Sequence, residues 1–147
     1  FAREWVRPMA EVLAKLGAEK VWVMHGADGL DEITTTGPTY VAELDQGRIR
    51  EFEVTPEEIG VKRAAPAALK GGDAATNALA ISALLDGHQN AFRDVVLLNA
   101  AAGLLIAGKA KSLKDGAGLA AKALDSGAAR KVLERLIEIS HRSVSAK

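Results

Sequence analysis

The sequence predicts an α/β domain in which one buried strand and one antiparallel hairpin pack with five or six helices. Three observations carry that prediction. Val21-Trp22-Val23-Met24 is a short, unbroken apolar run; Tyr40–Asp45 and Ile49–Val54 alternate around Gln46-Gly47; and most of the remaining chain has helical periodicity or helix-forming composition. With 147 residues, 48% of them hydrophobic, the chain has enough material for one core and little for a second. A single unit spanning residues 1–147 is therefore expected.

Trp5, Met9, Val12, Leu13 and Leu16 recur at helical spacing, and Gly17 stands where a left-handed cap is wanted. They predict a first helix with those residues on one face. The run 21–24 is β-branched and continuous, the pattern of a strand covered on both faces as in parallel sheets. One such strand leaves two edges to satisfy, so either the hairpin and helices cover it or chain outside these residues supplies parallel neighbours; its buried character favours the second. The hairpin should keep one wet face. Thr55-Pro56-Glu57-Glu58 offers a cap, a proline at the first helical position and a glutamate three residues after the cap, which predicts a short helix ended by Gly60.

Residues 61–72 read as a surface loop. Asp73 can cap an alanine-rich helix from Ala74 to about Leu85, closed by Gly87. Asn90 or Asp94 opens the next helix, which runs through Leu97, Leu98, Leu104 and Ile106. Its lack of a polar stripe places it in a core, with the small residues Ala100–Gly103 admitting a second backbone. Two more helices are expected, from Ser112 to about Leu124 and from Ser126 to about Ser140. Val132, Leu133, Leu136 and Ile137 form the inward face of the last, and the tail from Arg142 is expected to fray.

Composition removes several function classes. Nineteen basic and nineteen acidic residues balance, so no net field draws nucleic acid or an anionic membrane. The absence of cysteine excludes disulfides, thiolate metal sites and a cysteine nucleophile. No apolar run approaches the roughly 20 residues of a membrane span, and the first residues lack a secretory layout. A cytoplasmic protein with no nucleic-acid or membrane partner is expected. The chain opens at Phe1, already close to a helix, which reads equally as a chain entered midway or as a processed terminus.

Chemistry concentrates in HGADGLDEITTTGP, residues 25–38, directly after the apolar strand. Asp31 and Glu32 are adjacent carboxylates in a loop, where the backbone lets both point to one side; in a strand they would point apart. Hard carboxylate oxygens suit Mg2+, which one or two carboxylates plus substrate phosphates commonly hold, better than zinc, which wants His or Cys. Their place after the carboxyl end of a strand is where open α/β sheets bind ligands. His25 has no partner at diagnostic spacing and is given no catalytic role. Asp28 reads as a turn residue. Thr34, Thr35 and Thr36 suit phosphate contacts or a turn, and the turn is preferred. Gly71-Gly72-Asp73 resembles an anion-binding helix start, but Asp73 already places a negative charge there, so a loop and cap is the better reading. Asn77 and Asn99 lie within helices and could orient groups across a packed interface.

The ordered set WVRPMAEVLAKLG, VWVMHGADGLDEITTTGPT, LKGGDAATNALAISALLDG and VVLLNAAAGLLIAG closely resembles the second half of the anthranilate phosphoribosyltransferases, from Phe1 to about His141. The resemblance implies an enzyme of tryptophan biosynthesis joining anthranilate to phosphoribosyl pyrophosphate with release of pyrophosphate, Mg2+ as cofactor, and Asp31 and Glu32 as its ligands. It also implies a partial nucleoside phosphorylase/phosphoribosyltransferase C-terminal domain. The family's helical domain, Gly-Thr-Gly-Gly-Asp loop and Lys-His-Gly-Asn-Arg segment are absent from these residues. The chain is therefore expected to be an incomplete, inactive piece of a protein that is a homodimer at full length. The competing readings are a pyrimidine-nucleoside-phosphorylase-like enzyme and a non-catalytic nucleic-acid-binding homologue; the balanced charge argues against the latter.

Overall fold

The computed structural model describes residues 2–142. Expectations for the tail beyond Arg142 fall outside them. Along the chain, a 3-10 turn at Arg3–Trp5 leads into α1 (Val6–Lys15), β1 (Lys20–Gly26), β2 (Thr39–Asp45) and β3 (Arg48–Val54). Short 3-10 turns at Pro56–Ile59 and Pro66–Leu69 precede α2 (Ala74–Leu85), α3 (Ala91–Ile106), α4 (Leu113–Asp125) and α5 (Ala128–Ser140). The α/β class, the hairpin and five helices are as predicted.

Among the described residues, β1 is paired by the hairpin. All three strands form one antiparallel sheet in the order β1-β2-β3, with Lys20 opposite Asp45 and Gly26 opposite Thr39. The strand covered on both faces is β2, whereas β1 lies at an edge and is mostly half-buried. A run of four apolar residues reports coverage of its faces and carries no information about the direction of its neighbour. Among the described residues, β1's outer edge has no strand partner. Gln46 and Gly47 both take positive φ, 48° and 77°, the mirror-image turn that matches strand twist in a two-residue hairpin.

The sheet has two different faces. Val23, Ala42 and Ile49 meet Val6 and Ala10 of α1. On the other side Trp22, Met24, Val41, Phe52 and Val54 pack into the main core with Ile33, Leu98, Ala101, Ala102, Leu113 and Ala117, so α3 and α4 form the third layer. Trp22 meets Phe52 edge to face at 5.2 Å and donates from Nε1 to buried Glu43 at 2.8 Å; Glu43 also accepts from Arg50. β3 is the wet strand of the hairpin, with Arg48, Arg50, Glu51 and Glu53 exposed.

Helix starts follow the chemistry read from the sequence. Asp73 accepts from Thr76 N at 2.8 Å, Asn90 from Arg93 N at 3.0 Å and Ser112 from Asp115 N at 3.1 Å, so Asn90 rather than Asp94 opens α3. Both halves of the capping box at Thr55 and Glu58 are formed, although the helix they start is a single 3-10 turn. α3 is the central helix, and its small residues do admit a neighbour: a Cβ on Gly116 of α4 would stand 2.8 Å from the carbonyl oxygen of Ala101.

Two apolar faces read from periodicity are largely exposed, the one expected to point inward on the last helix among them. On α1 the buried residues are Val6 and Ala10, while Trp5, Met9, Val12 and Leu16 are exposed. The sheet residues Val23, Ala42 and Ile49 cover the Val6 and Ala10 margin of the helix. α5 buries none of its residues; Val132, Leu136 and Ile137 are exposed and Leu133 is half-buried. Periodicity identifies a face without naming what covers it. No helix of the described residues is long and apolar enough to cross a membrane.

Candidate metal centre

The connection between β1 and β2, residues 27–38, holds the acidic turn. Where β1 ends, Gly26 N donates to Leu30 O at 2.8 Å and Gly29 N to Gly26 O at 2.9 Å, closing a tight turn. Ala27 N donates to Pro38 O at 2.9 Å, tying the two ends of the loop together. Gly26 is required there, because a Cβ would fall 2.5 Å from Asp28 Oδ1 and 3.2 Å from Thr34 Cγ2.

Asp28 organises the loop from within. Its Oδ2 accepts from the hydroxyls of Thr34 at 2.5 Å and Thr36 at 2.6 Å, and its Oδ1 accepts from Leu30 N at 3.2 Å. Partial burial pushes its carboxyl up, but these donors outweigh it and hold the group below the ordinary aspartate range. Asp28 is therefore the turn residue the sequence suggested, with its acceptor sites already engaged. The threonines serve the same turn: Thr34 and Thr35 are buried, Thr34 N donates to Thr39 Oγ1 at 3.0 Å and Thr36 N to Thr34 Oγ1 at 3.0 Å.

Asp31 and Glu32 stand apart from this network and are exposed. Among the described residues, no hydrogen bond or ion pair engages Asp28, Asp31 or Glu32 with a cationic side chain. Burial, then the charges of Asp31 and Asp28, raises the Glu32 carboxyl above its usual value. Glu32 thus feels the like charges of Asp31 and Asp28, with no cationic side chain paired to it among the described residues. Two exposed carboxylates with free oxygens fit Mg2+, which keeps most of its shell for water and substrate phosphates. No group of three or more His, Cys, Asp or Glu side chains suited to a metal occurs among the described residues, so the donor set does not fit an all-protein cage.

Asp31 also lines a cavity of about 440 Å³, largely apolar, between α1 and β1, with Trp5, Met9, Met24 and His25. His25 is half-buried, and its ring makes no hydrogen bond with the described residues. The site rests on its own geometry.

One contributor was only partly foreseen. Ile33 N donates to Asn99 Oδ1 at 2.9 Å, and Asn99 Nδ2 donates to Ile33 O at 2.8 Å and to Val95 O at 3.0 Å. The Asn99 amide therefore clips the residue after Glu32 to α3. The signal was present: Asn99 is a polar amide within the apolar helix LLNAAAGLLI. Asn77 makes a similar local clip, accepting from Gly72 N at 2.9 Å and donating to Gly72 O at 3.1 Å, while Asp73 occupies the helix start as a cap.

The profile of the family described as "Glycosyl transferase family, a/b domain" matches residues 1–130. The chain belongs to that family. Within it, the chain is 62% identical over 143 residues to the anthranilate phosphoribosyltransferase of Paramagnetospirillum magneticum, covering 97% of this chain and 41% of that relative. It is 59% identical over 141 residues to the enzyme of the same name from Bradyrhizobium diazoefficiens, with 96% and 42% covered. The chain thus spans about two fifths of the length of the curated relatives it matches. Among solved structures, the anthranilate phosphoribosyltransferase of Thermus thermophilus superposes with a TM-score of 0.82 at 45% identity, over 92% of this chain and 40% of that one. The Saccharomyces cerevisiae enzyme in complex with PRPP and Mg shares the fold at a TM-score of 0.84 and 22% identity, over 94% of this chain and 40% of that one. Magnesium is thus bound in a protein that shares this fold.

Proposed function

We propose that this chain is the metal-binding portion of an anthranilate phosphoribosyltransferase, with Asp31 and Glu32 holding Mg2+ at the diphosphate of phosphoribosyl pyrophosphate. The observation that carries the reading is the exposed Asp31-Glu32 turn, with no cationic side chain paired to it among the described residues and with Glu32 raised by burial and then by its acidic neighbours. Relatives about 60% identical over nearly the whole chain carry that name.

In this reaction the ribose C1–O bond to pyrophosphate breaks and a C1–N bond to anthranilate forms, with the amine proton released. Mg2+ when bound supplies positive charge against the pyrophosphate oxygens, where negative charge grows as the bond breaks. The contribution of the chain is to hold two anionic ligands on a turn fixed at both ends, so that little reorganisation is needed during transfer. Asp28, with its oxygens engaged by Thr34 and Thr36, shapes the turn and is not a ligand. On this reading the 147 residues alone form no phosphoribosyl anthranilate. The parent protein acts in the cytoplasm as a homodimer.

The test is a chimera in which this chain replaces the matching 143 residues of the Paramagnetospirillum magneticum relative. The chimera should convert anthranilate and phosphoribosyl pyrophosphate in a Mg2+-dependent manner, followed by loss of anthranilate fluorescence. Asp31→Asn with Glu32→Gln should lower its kcat about 100-fold or more, the scale of losing one element of transition-state charge stabilisation. A chimera that folds but makes no product, or one indifferent to the double substitution, would overturn the reading.

A further inference from the structure

We infer that Asn99 is a positioning residue for the acidic turn: its amide, through Ile33, fixes where Asp31 and Glu32 present their carboxylates. The inference rests on the metal reading of that turn and deepens it.

The two carboxylate residues have no anchor of their own. Among the described residues neither the side chains nor the backbone groups of Asp31 and Glu32 take part in a hydrogen bond. Their location is set from the two flanks. Upstream, Leu30 is tied by its carbonyl to Gly26 N and by its amide to Asp28. Downstream, Ile33 is held three ways: its side chain is fully buried in the main core, its N–H donates to Asn99 Oδ1 and its carbonyl accepts from Asn99 Nδ2. The upstream tie is local and follows β1. The downstream one crosses 66 positions of sequence and joins the turn to α3.

Asn99 is suited to that task. It is on the same helix as Leu98, Ala101 and Ala102, which are buried with Ile33 in one cluster, so the helix cannot shift without disturbing that packing. Its Nδ2 also reaches Val95 O one turn earlier at 3.0 Å, which fixes the amide's orientation. Both a donor and an acceptor are matched to one residue, an arrangement an alanine cannot reproduce and a glutamine, longer by one methylene, would offset. Groups that orient metal ligands without touching the metal commonly change affinity about 10- to 100-fold when removed.

The experiment is a Mn2+ titration of the full 147-residue chain, read by paramagnetic broadening of backbone amide NMR signals at Asp31, Glu32 and Ile33, with the thermal midpoint measured on each variant. Asn99→Ala should weaken Mn2+ binding about 10-fold. Asn99→Gln, which keeps the amide chemistry and moves it, should weaken binding in the same direction and serves if the alanine variant does not fold. Leu98→Ala, a core truncation on the same helix that leaves the amide clip intact, should lower the thermal midpoint at least as much as Asn99→Ala while leaving Mn2+ affinity within about twofold. Unchanged affinity in a folded Asn99→Ala or Asn99→Gln protein overturns the inference, as does an equal loss in Leu98→Ala, which would show that any loosening of α3 suffices. Asp31→Asn with Glu32→Gln separates the two levels. If that variant binds Mn2+ as well as the unsubstituted chain, the metal reading itself fails; if it does not and the Asn99 variants do, only the positioning role fails.

Discussion

α3 and α5 are both helices rich in aliphatic residues, and their fates are opposite. α5 has a regular apolar stripe in Val132, Leu136 and Ile137 and buries none of it; α3 has no clear stripe and lies at the centre of the molecule, with Leu98 and Ala101 fully buried. A stripe states that one side of a helix avoids water. Whether anything covers that side depends on the neighbours, and α3 packs in the main core with the sheet and α4 whereas α5 meets α4 and, through Arg130, the end of α2. The polar residue of interest, Asn99, is on the buried helix, where an amide must find partners and therefore carries positional information.

Truncating the two helices should separate them most strongly. Leu98→Ala removes a fully buried side chain from the main core and should cost about 2–5 kcal/mol in urea unfolding, whereas Leu136→Ala, 61% exposed, should change stability by less than about 0.5 kcal/mol. Similar losses at both positions would mean that α5's stripe is covered in solution. Glycine substitutions sharpen the same contrast on a smaller scale. Gly116→Ala drives a methyl to within 2.8 Å of the Ala101 carbonyl oxygen and should cost about 1–3 kcal/mol. Gly103→Ala, within α3 but with open space around it, should stabilise by about 0.5–1 kcal/mol through helix propensity.

The sheet side of the core adds a pH-dependent effect. Burial pushes Glu43 up, but hydrogen bonds from Arg50 and Trp22 outweigh it and hold the carboxyl below the usual glutamate value of 4.5. A group held low in the folded state contributes stability above its unfolded value and loses it as pH falls through the folded value. The urea midpoint of the unsubstituted chain should therefore decline below about pH 4.5, and Glu43→Gln should show a shallower decline over that window. An identical acid limb in both proteins would remove Glu43 from the account.

Much of the fold was legible because local chemistry specified it: the Gln46-Gly47 turn, the caps at Asp73, Asn90 and Ser112, and the capping box at Thr55 all depend on side chains within four residues. What was not legible depends on distant partners. That the hairpin takes one edge of β1 is decided by β2, and the buried margin of α1 by its packing on Val23, Ala42 and Ile49. The acidic turn divides in the same way. Asp28 reads as a turn residue once position and the family resemblance single out Asp31 and Glu32, and Asn99 was recognisable as an amide able to orient groups, but that its partner is Ile33 required the tertiary contact. Glu43, paired with Trp22 and Arg50, was missed because alternation alone placed it on a wet face.

The most direct test of the central claim, that Asp31 and Glu32 form a divalent-cation site, is a Mn2+ titration of the chain in which free Mn2+ is followed by electron paramagnetic resonance. The account predicts saturable loss of the free-ion signal at a single site, competed by Mg2+ and abolished by Asp31→Asn with Glu32→Gln. Uptake that persists undiminished in that double variant would contradict it.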